Sequence, residues 1–115
     1  MIKVFHNARC GKSRTCLALL TAKNIDFEVV NYLQEAPTFH ELETILLKLN
    51  YKSIDLIRQK EKIWIENFKG TEMTDEAIIQ AMVQYPILIE RPIVIDGNKA
   101  IVGRDEKLLQ DFLAI

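Results

Sequence analysis

Residues 2–32 pass from one hydrophobic period to another and back, and this narrows the possible folds more than any other feature of the chain. Ile2-Lys3-Val4-Phe5 alternates as a strand does, and from Ser13 onward Leu17 and Leu20 share one helical face. Phe27-Glu28-Val29-Val30-Asn31-Tyr32 is again strand-like. A helix ending near Lys23-Asn24 between two short strands predicts a parallel pair joined by a right-handed crossover. The segment His6-Asn7-Ala8-Arg9-Cys10-Gly11-Lys12-Ser13-Arg14 links the first strand to that helix. It places Cys10 at or near the helix N-terminus, where free N–H groups and the positive end of the macrodipole favour a thiolate and can cradle an oxyanion. His6, Arg9, Lys12 and Arg14 add positive or polarisable groups around it.

The middle of the chain reads as helical. Glu35-Ala36-Pro37 breaks the chain, and Thr38-Phe39-His40-Glu41 has the form of a capping box opening a helix with Leu42, Ile45, Leu46 and Leu49 on its apolar side. Further helical pieces are expected at Ser53–Arg58 and Glu61–Phe68. Another starts at Thr74-Asp75-Glu76, turns Ile78, Ile79 and Met82 inward, and must stop before Pro86. His40 and Trp64 read as helix-surface and packing residues. Pro92-Ile93-Val94-Ile95 and Ala100-Ile101-Val102 flank Asp96-Gly97-Asn98 as a hairpin. Glu106–Leu113 closes the chain as a helix with Leu108, Leu109, Phe112 and Leu113 apolar. The order is strand–helix–strand, then strand–strand–helix. It predicts an α/β chain with the thioredoxin-like fold, a central mixed sheet in one domain over residues 1–115, with a helical insertion at approximately 37–85.

At 115 residues and 49% hydrophobic content the chain has enough apolar material for one core. Fifteen basic residues against sixteen acidic ones leave a net charge of −1. Nothing in that balance points to nucleic acid or a membrane surface, so any anion site must be local. No apolar run reaches membrane-spanning length, and Lys3, His6, Arg9 and Lys12 interrupt any signal-peptide core, so a cytoplasmic setting with reduced thiols is expected.

Cys10 and Cys16 are not spaced as Cys-x-x-Cys. On one helix, six residues correspond to about 600° of rotation and roughly 9 Å of rise, which puts them on different faces. Cys16, beside Leu17 and one turn before Leu20, is expected to be a buried structural thiol. No arrangement of His, Cys and carboxylates suggests a metal site.

The His6–Arg14 segment resembles the HNPxCxxSR signature of the glutaredoxin-coupled arsenate reductase (ArsC-like) family. Glu90-Arg91-Pro92-Ile93-Val94-Ile95 resembles its second signature. Pro37-Thr38 with Glu41 and Leu42, Leu56-Ile57-Arg58 with Glu61, Pro86-Ile87-Leu88-Ile89 and Gly103-Arg104 resemble further landmarks in the family's order. Ala8 stands where the family usually has proline, and Asp105 where proline commonly follows the last arginine.

The resemblance implies a catalytic Cys10 and three anion-binding arginines: Arg58 from a helix, Arg91 from the turn before a strand and Arg104 from a strand end. Such a set suits the chemistry, because arginine offers paired donors to an oxyanion and keeps its charge. His6 is expected to support the thiolate through polar contacts, and Ser13 and Arg14 to orient or charge the loop; the resemblance implies that Pro92 is cis, leaving backbone beside the cysteine open. The implied activity is reduction of arsenate to arsenite, with arsenate or a similar oxyanion as the bound partner. Cys10 forms the adduct, glutathione serves as co-substrate with no bound cofactor, and glutaredoxin clears the mixed disulfide. A monomer that binds no nucleic acid and no membrane is expected. Two alternatives stay open: an ArsC-like oxidoreductase acting on another oxyanion or a glutathione adduct, and an Spx-like regulator that binds RNA polymerase. The latter group carries Cys-x-x-Cys, whereas position 13 here is serine.

Overall fold

In a computed structural model that describes all residues, 1–115, the N-terminal alternation forms β1 (Ile2–Phe5), followed by α1 (Gly11–Ala22) and β2 (Phe27–Val30). The C-terminal part supplies β3 (Ile93–Asp96), β4 (Lys99–Val102) and α5 (Glu106–Leu113). The sheet order is β2-β1-β3-β4. β1 pairs with β2 in parallel and with β3 antiparallel, and β3 pairs antiparallel with β4. The expected mixed sheet of the thioredoxin-like fold is therefore present, with strand–helix–strand preceding strand–strand–helix.

The chain forms two compact units. One comprises Met1–Glu35 with Arg91–Ile115, and the other Ala36–Glu90. The stretch expected as an insertion, 37–85, lies inside the second unit.

In the first unit, Val4 and Val94 from the central strands, Cys16 and Leu20 from α1, and Leu109 from α5 are buried together. The register places Phe5 opposite Ile93, and Ile93 opposite Val102. One step further, the Gly103 N–H donates to the Pro92 carbonyl at 2.8 Å, so the residues flanking this last rung meet at one end of the sheet. The Arg91–Pro92 bond is cis. The hairpin loop is Gly97-Asn98, one residue later than the Asp96-Gly97 pair suggested, because Asp96 still pairs with Lys99. Gly97 has φ +60°, the left-handed setting that a two-residue loop with glycine first requires.

In the second unit, α2 (Phe39–Leu49) starts with the expected capping box: the Glu41 N–H donates to the Thr38 hydroxyl, and the Thr38 N–H to the Glu41 carboxylate, both at 3.1 Å. Its Leu42, Ile45, Leu46 and Leu49 are buried. Short 3₁₀ turns at Ser53–Leu56 and Pro86–Leu88 flank α3 (Lys62–Asn67) and α4 (Asp75–Gln84). Thr74 caps α4 through the Ala77 N–H. Trp64 is buried and stacks on Phe68 at 5.4 Å between ring centroids, while His40 is exposed.

Four expectations need correction. α1 begins at Gly11, two residues before the apolar period becomes visible at Ser13, since its first turn carries no apolar residue to mark it. β2 ends at Val30, and Tyr32 leaves the strand to stack on Phe5 at 6.5 Å in the core. Leu108 faces outward, 56% exposed, because only Leu109 on that turn of α5 meets the sheet. Arg58 is not helical. The 3₁₀ turn stops at Leu56, and Ile57 then makes an antiparallel bridge to Ile89 with the Arg58 N–H donating to the Leu88 carbonyl at 2.7 Å.

Candidate active site

Cys10 is the N-cap residue of α1, with extended backbone (φ −95°, ψ 121°) and a buried side chain. Its own N–H donates to the Asn7 carbonyl at 3.0 Å, while the Asn7 side-chain oxygen accepts from the Arg9 N–H at 2.9 Å. These two bonds fold residues 7–10 into a turn that presents the sulfur to the first turn of the helix. The Arg14 guanidinium reaches back over the turn to the Ala8 carbonyl at 2.9 Å.

His6 and Ser13 sit beneath this turn, both buried. His6 Nδ1 and the Ser13 hydroxyl lie 2.6 Å apart, and the same hydroxyl accepts from the Asn7 N–H at 3.1 Å. Burial, and then the nearby Arg14 charge, lower the His6 pKa below 6.5, so the ring is neutral at neutral pH. His6 is thus a hydrogen-bonding strut of the loop and supplies no positive charge to it.

The cations that act on Cys10 come from the C-terminal part of the chain, Arg91 just before β3 and Arg104 just after β4. Arg104 Nη1 approaches the sulfur at 3.7 Å and donates to the Arg91 carbonyl at 3.0 Å. Burial pushes the Cys10 thiol up. Opposing it, the Arg91 guanidinium, the Ser13 backbone N–H and Arg104 prevail, and the pKa falls from 9.0 to about 7. The sulfur does not close a side-chain cap in hydrogen-bonding geometry, but the N–H at the third helical position still favours its anion. Arg91 Nε and Nη1 are buried with no partner inside the protein, which leaves both donors open to an anion.

Cys16 lies six residues further along the same helix and differs in every respect. It is 1% exposed in the apolar core, and burial alone raises its thiol to about 11. Both cysteines are free.

Of the residues singled out in the sequence, Cys10, His6, Ser13, Arg14, Arg91, Pro92 and Arg104 belong to the first unit. The described contacts join Cys10, Arg91 and Arg104, and separately His6, Ser13 and Asn7. Arg58 belongs to the second unit, where Nη1 pairs with Glu61 at 2.7 Å and Nε with Glu90 at 3.5 Å. Asn7 was not singled out, although its carbonyl, N–H and side chain all shape the loop. An Asn before a turn is the signal that could have found it.

The chain is similar to known proteins over nearly its whole length. The model of the ArsC family matches residues 5–112. An arsenate reductase of Neisseria meningitidis serogroup A is 41% identical over 105 residues, covering 90% of each chain. Protein YfgD of Escherichia coli K12 is 43% identical over 105 residues, covering 90% of this chain and 88% of its own. The solved structure of an arsenate reductase from Vibrio cholerae superimposes with a TM-score of 0.89 at 36% identity, covering 95% of each chain.

Proposed function

The chain belongs to the ArsC family, and on that premise we propose that it is an arsenate reductase that uses Cys10 as nucleophile, glutathione as reductant and glutaredoxin to complete the cycle. The observation that carries this reading is the meeting of one low-pKa sulfur with two arginines at a helix start, Arg104 Nη1 lying 3.7 Å from Sγ.

A thiolate and an oxyanion repel one another, so a site joining them must supply fixed positive charge. Arg91, with two unused buried donors, and Arg104 supply it here. The Cys10 thiolate attacks arsenic, forming a sulfur–arsenic bond as one arsenate oxygen leaves as water. Glutathione attacks next. Two electrons pass to arsenic as the sulfur–arsenic bond breaks, arsenite departs and a Cys10–glutathione disulfide remains. Glutaredoxin then takes the glutathionyl group, and Cys10 returns to the thiolate. Per turnover, arsenate and two thiols give arsenite, one disulfide and water. The helix N-terminus lowers the energy of Cys10 both as nucleophile and as leaving group.

The test is arsenate reduction coupled to glutathione and glutaredoxin, with the wild-type chain and with Cys10→Ser. Turnover by the first and none by the second supports the reading. A folded wild-type chain that forms the glutathione disulfide but releases no arsenite overturns arsenate as the substrate. The resemblance also assigns Arg58 to the oxyanion. An Arg58→Ala variant with a raised KM for arsenate supports that role, and an unchanged KM removes it.

A further inference from the structure

A small cleft of about 40 Å³ opens between α1 and the start of α5, lined by Lys12, Thr15, Cys16, Arg104, Glu106 and Leu109, among others. Cys16 and Leu109 are buried and form an apolar floor, while Lys12, Arg104 and Glu106 are exposed and form a charged rim. Lys12 and Glu106 make no side-chain hydrogen bond and no ion pair within the protein, so neither charge is satisfied internally. The Thr15 hydroxyl, by contrast, is engaged with the Gly11 carbonyl. Arg104 lines the cleft and also reaches the sulfur, with Nη1 3.7 Å from Sγ, so one side chain links the two.

From these features we infer that the cleft is a recognition subsite for the amino-acid end of the thiol co-substrate. Lys12 and Arg104 would meet its carboxylate and Glu106 its ammonium, while the co-substrate sulfur faces Cys10. This rests on the reading of Cys10 as a thiol that exchanges with glutathione, and it adds which residues choose that thiol.

The chemistry of the rim carries the inference. An inorganic oxyanion asks only for positive charge, which Arg91 and Arg104 already supply, and an acidic residue beside it would be unfavourable. An α-amino-acid group bears a carboxylate and an ammonium on one carbon, and two cations flanking one carboxylate complement that pair. The length also fits. Along α1 the cleft runs from Lys12 to Leu19, roughly 3 to 13 Å beyond Cys10 at 1.5 Å per residue, and two residues of extended peptide, which span about 7 Å, end within that range. A volume of about 40 Å³ admits a terminal group rather than a whole tripeptide, and leaves the rest of the co-substrate over the surface.

The test reads thiol–disulfide exchange at Cys10 without arsenate. The Cys10 thiolate attacks one sulfur of a disulfide, a new sulfur–sulfur bond forms, and the other half leaves as a thiolate. Rates are compared for glutathione disulfide, for dithiodipropionate, which is anionic but has no ammonium, and for neutral hydroxyethyl disulfide. Mass spectrometry places the adduct, and each rate is divided by that of a simple thiol of similar pKa. The expected result is a preference of at least several-fold for glutathione disulfide over both others. Lys12→Ser should reduce the rate with glutathione disulfide and, less strongly, with dithiodipropionate. Glu106→Gln should reduce the rate with glutathione disulfide only, and Lys69→Ser, outside the cleft, should change nothing. Equal normalised rates for the two anionic disulfides would show attraction by the cationic field alone and overturn the subsite. So would a preference that survives in Lys12→Ser and Glu106→Gln. Selective exchange in a protein that fails to reduce arsenate would leave the subsite standing and remove the arsenate assignment; arsenate reduction without selective exchange would do the reverse.

Discussion

Cys10 and Cys16 share one helix and one side-chain chemistry, yet the protein moves their thiols in opposite directions, to about 7 and about 11. Burial pushes both thiols up, so the opposite signs come from what else surrounds each sulfur. Cys10 is placed where unpaired helical N–H groups and two arginines converge, whereas Cys16 is buried with Val4, Leu20, Val94 and Leu109 and no charge offsets its desolvation. Cysteine becomes a nucleophile when the charged partners around it outweigh its desolvation.

The largest expected difference between the two is in catalysis. Cys10→Ser should abolish glutathione-dependent arsenate reduction, because a hydroxyl forms neither the arsenic adduct nor the mixed disulfide, while Cys16→Ser should retain most activity. Loss of activity in a well-folded Cys16→Ser protein would break the contrast and require an intramolecular disulfide.

Reactivity toward iodoacetamide should separate them next. Labelling of Cys10 should rise with pH around a midpoint near 7, whereas Cys16 should stay unlabelled below about pH 10 until the protein unfolds. Bound sulfate should move the Cys10 midpoint upward by placing negative charge beside the sulfur. A midpoint at or above 8.5 without an anion would remove the physical basis for an activated thiolate.

Arg104→Ala should raise the Cys10 midpoint and lower its labelling at neutral pH by roughly 10-fold, as the loss of a charge-assisted hydrogen bond of about 1.5–3 kcal/mol predicts. The same variant should leave Cys16 unaltered. An unchanged midpoint would mean that Arg91 and the helix terminus suffice.

The smallest effects concern stability. Cys16→Ser places a hydroxyl without a partner in the apolar floor and should cost about 1–3 kcal/mol in denaturant unfolding. The two thiols should also give pH slopes of opposite sign. Between pH 7 and 9 the unfolded chain holds the Cys10 proton and the native state does not, so Cys10 makes stability rise with pH. Between pH 9 and 11 the native state holds the Cys16 proton and the unfolded chain does not, so Cys16 makes stability fall. Each cysteine-to-serine variant should erase its own slope and leave the other.

The fold was legible where local chemistry is decisive. The capping box of Thr38 and Glu41, the period change around Cys10 and the Gly97 turn are short-range signals, and the structure contains each of them. The grouping around the sulfur was legible only through motif resemblance, since Cys10 and Arg104 are 94 residues apart and no spacing rule connects them. The sequence neighbours of Cys10 were misleading as sources of charge. His6 is neutral and bonded to Ser13, and Arg14 is turned to the Ala8 carbonyl. Arg58 ends the helical stretch expected over Ser53–Arg58, of which only Ser53–Leu56 is helical, as a 3₁₀ turn. The Ile57–Ile89 bridge that stops it is a tertiary event.

The pairing of Phe5 with Ile93 and of Ile93 with Val102 has a consequence for how the gene tolerates change. Side chains alternate across a strand, so deleting one codon within Ile93–Asp96 would exchange the faces of β3 and carry the residues before it out of step with β1. Arg91 would then be offset from Cys10 even though both codons were intact. Surface turns on the far side of these rungs, such as Gly97-Asn98, can absorb added residues without moving the count. The strand register is thus least forgiving in a stretch that carries no reactive group.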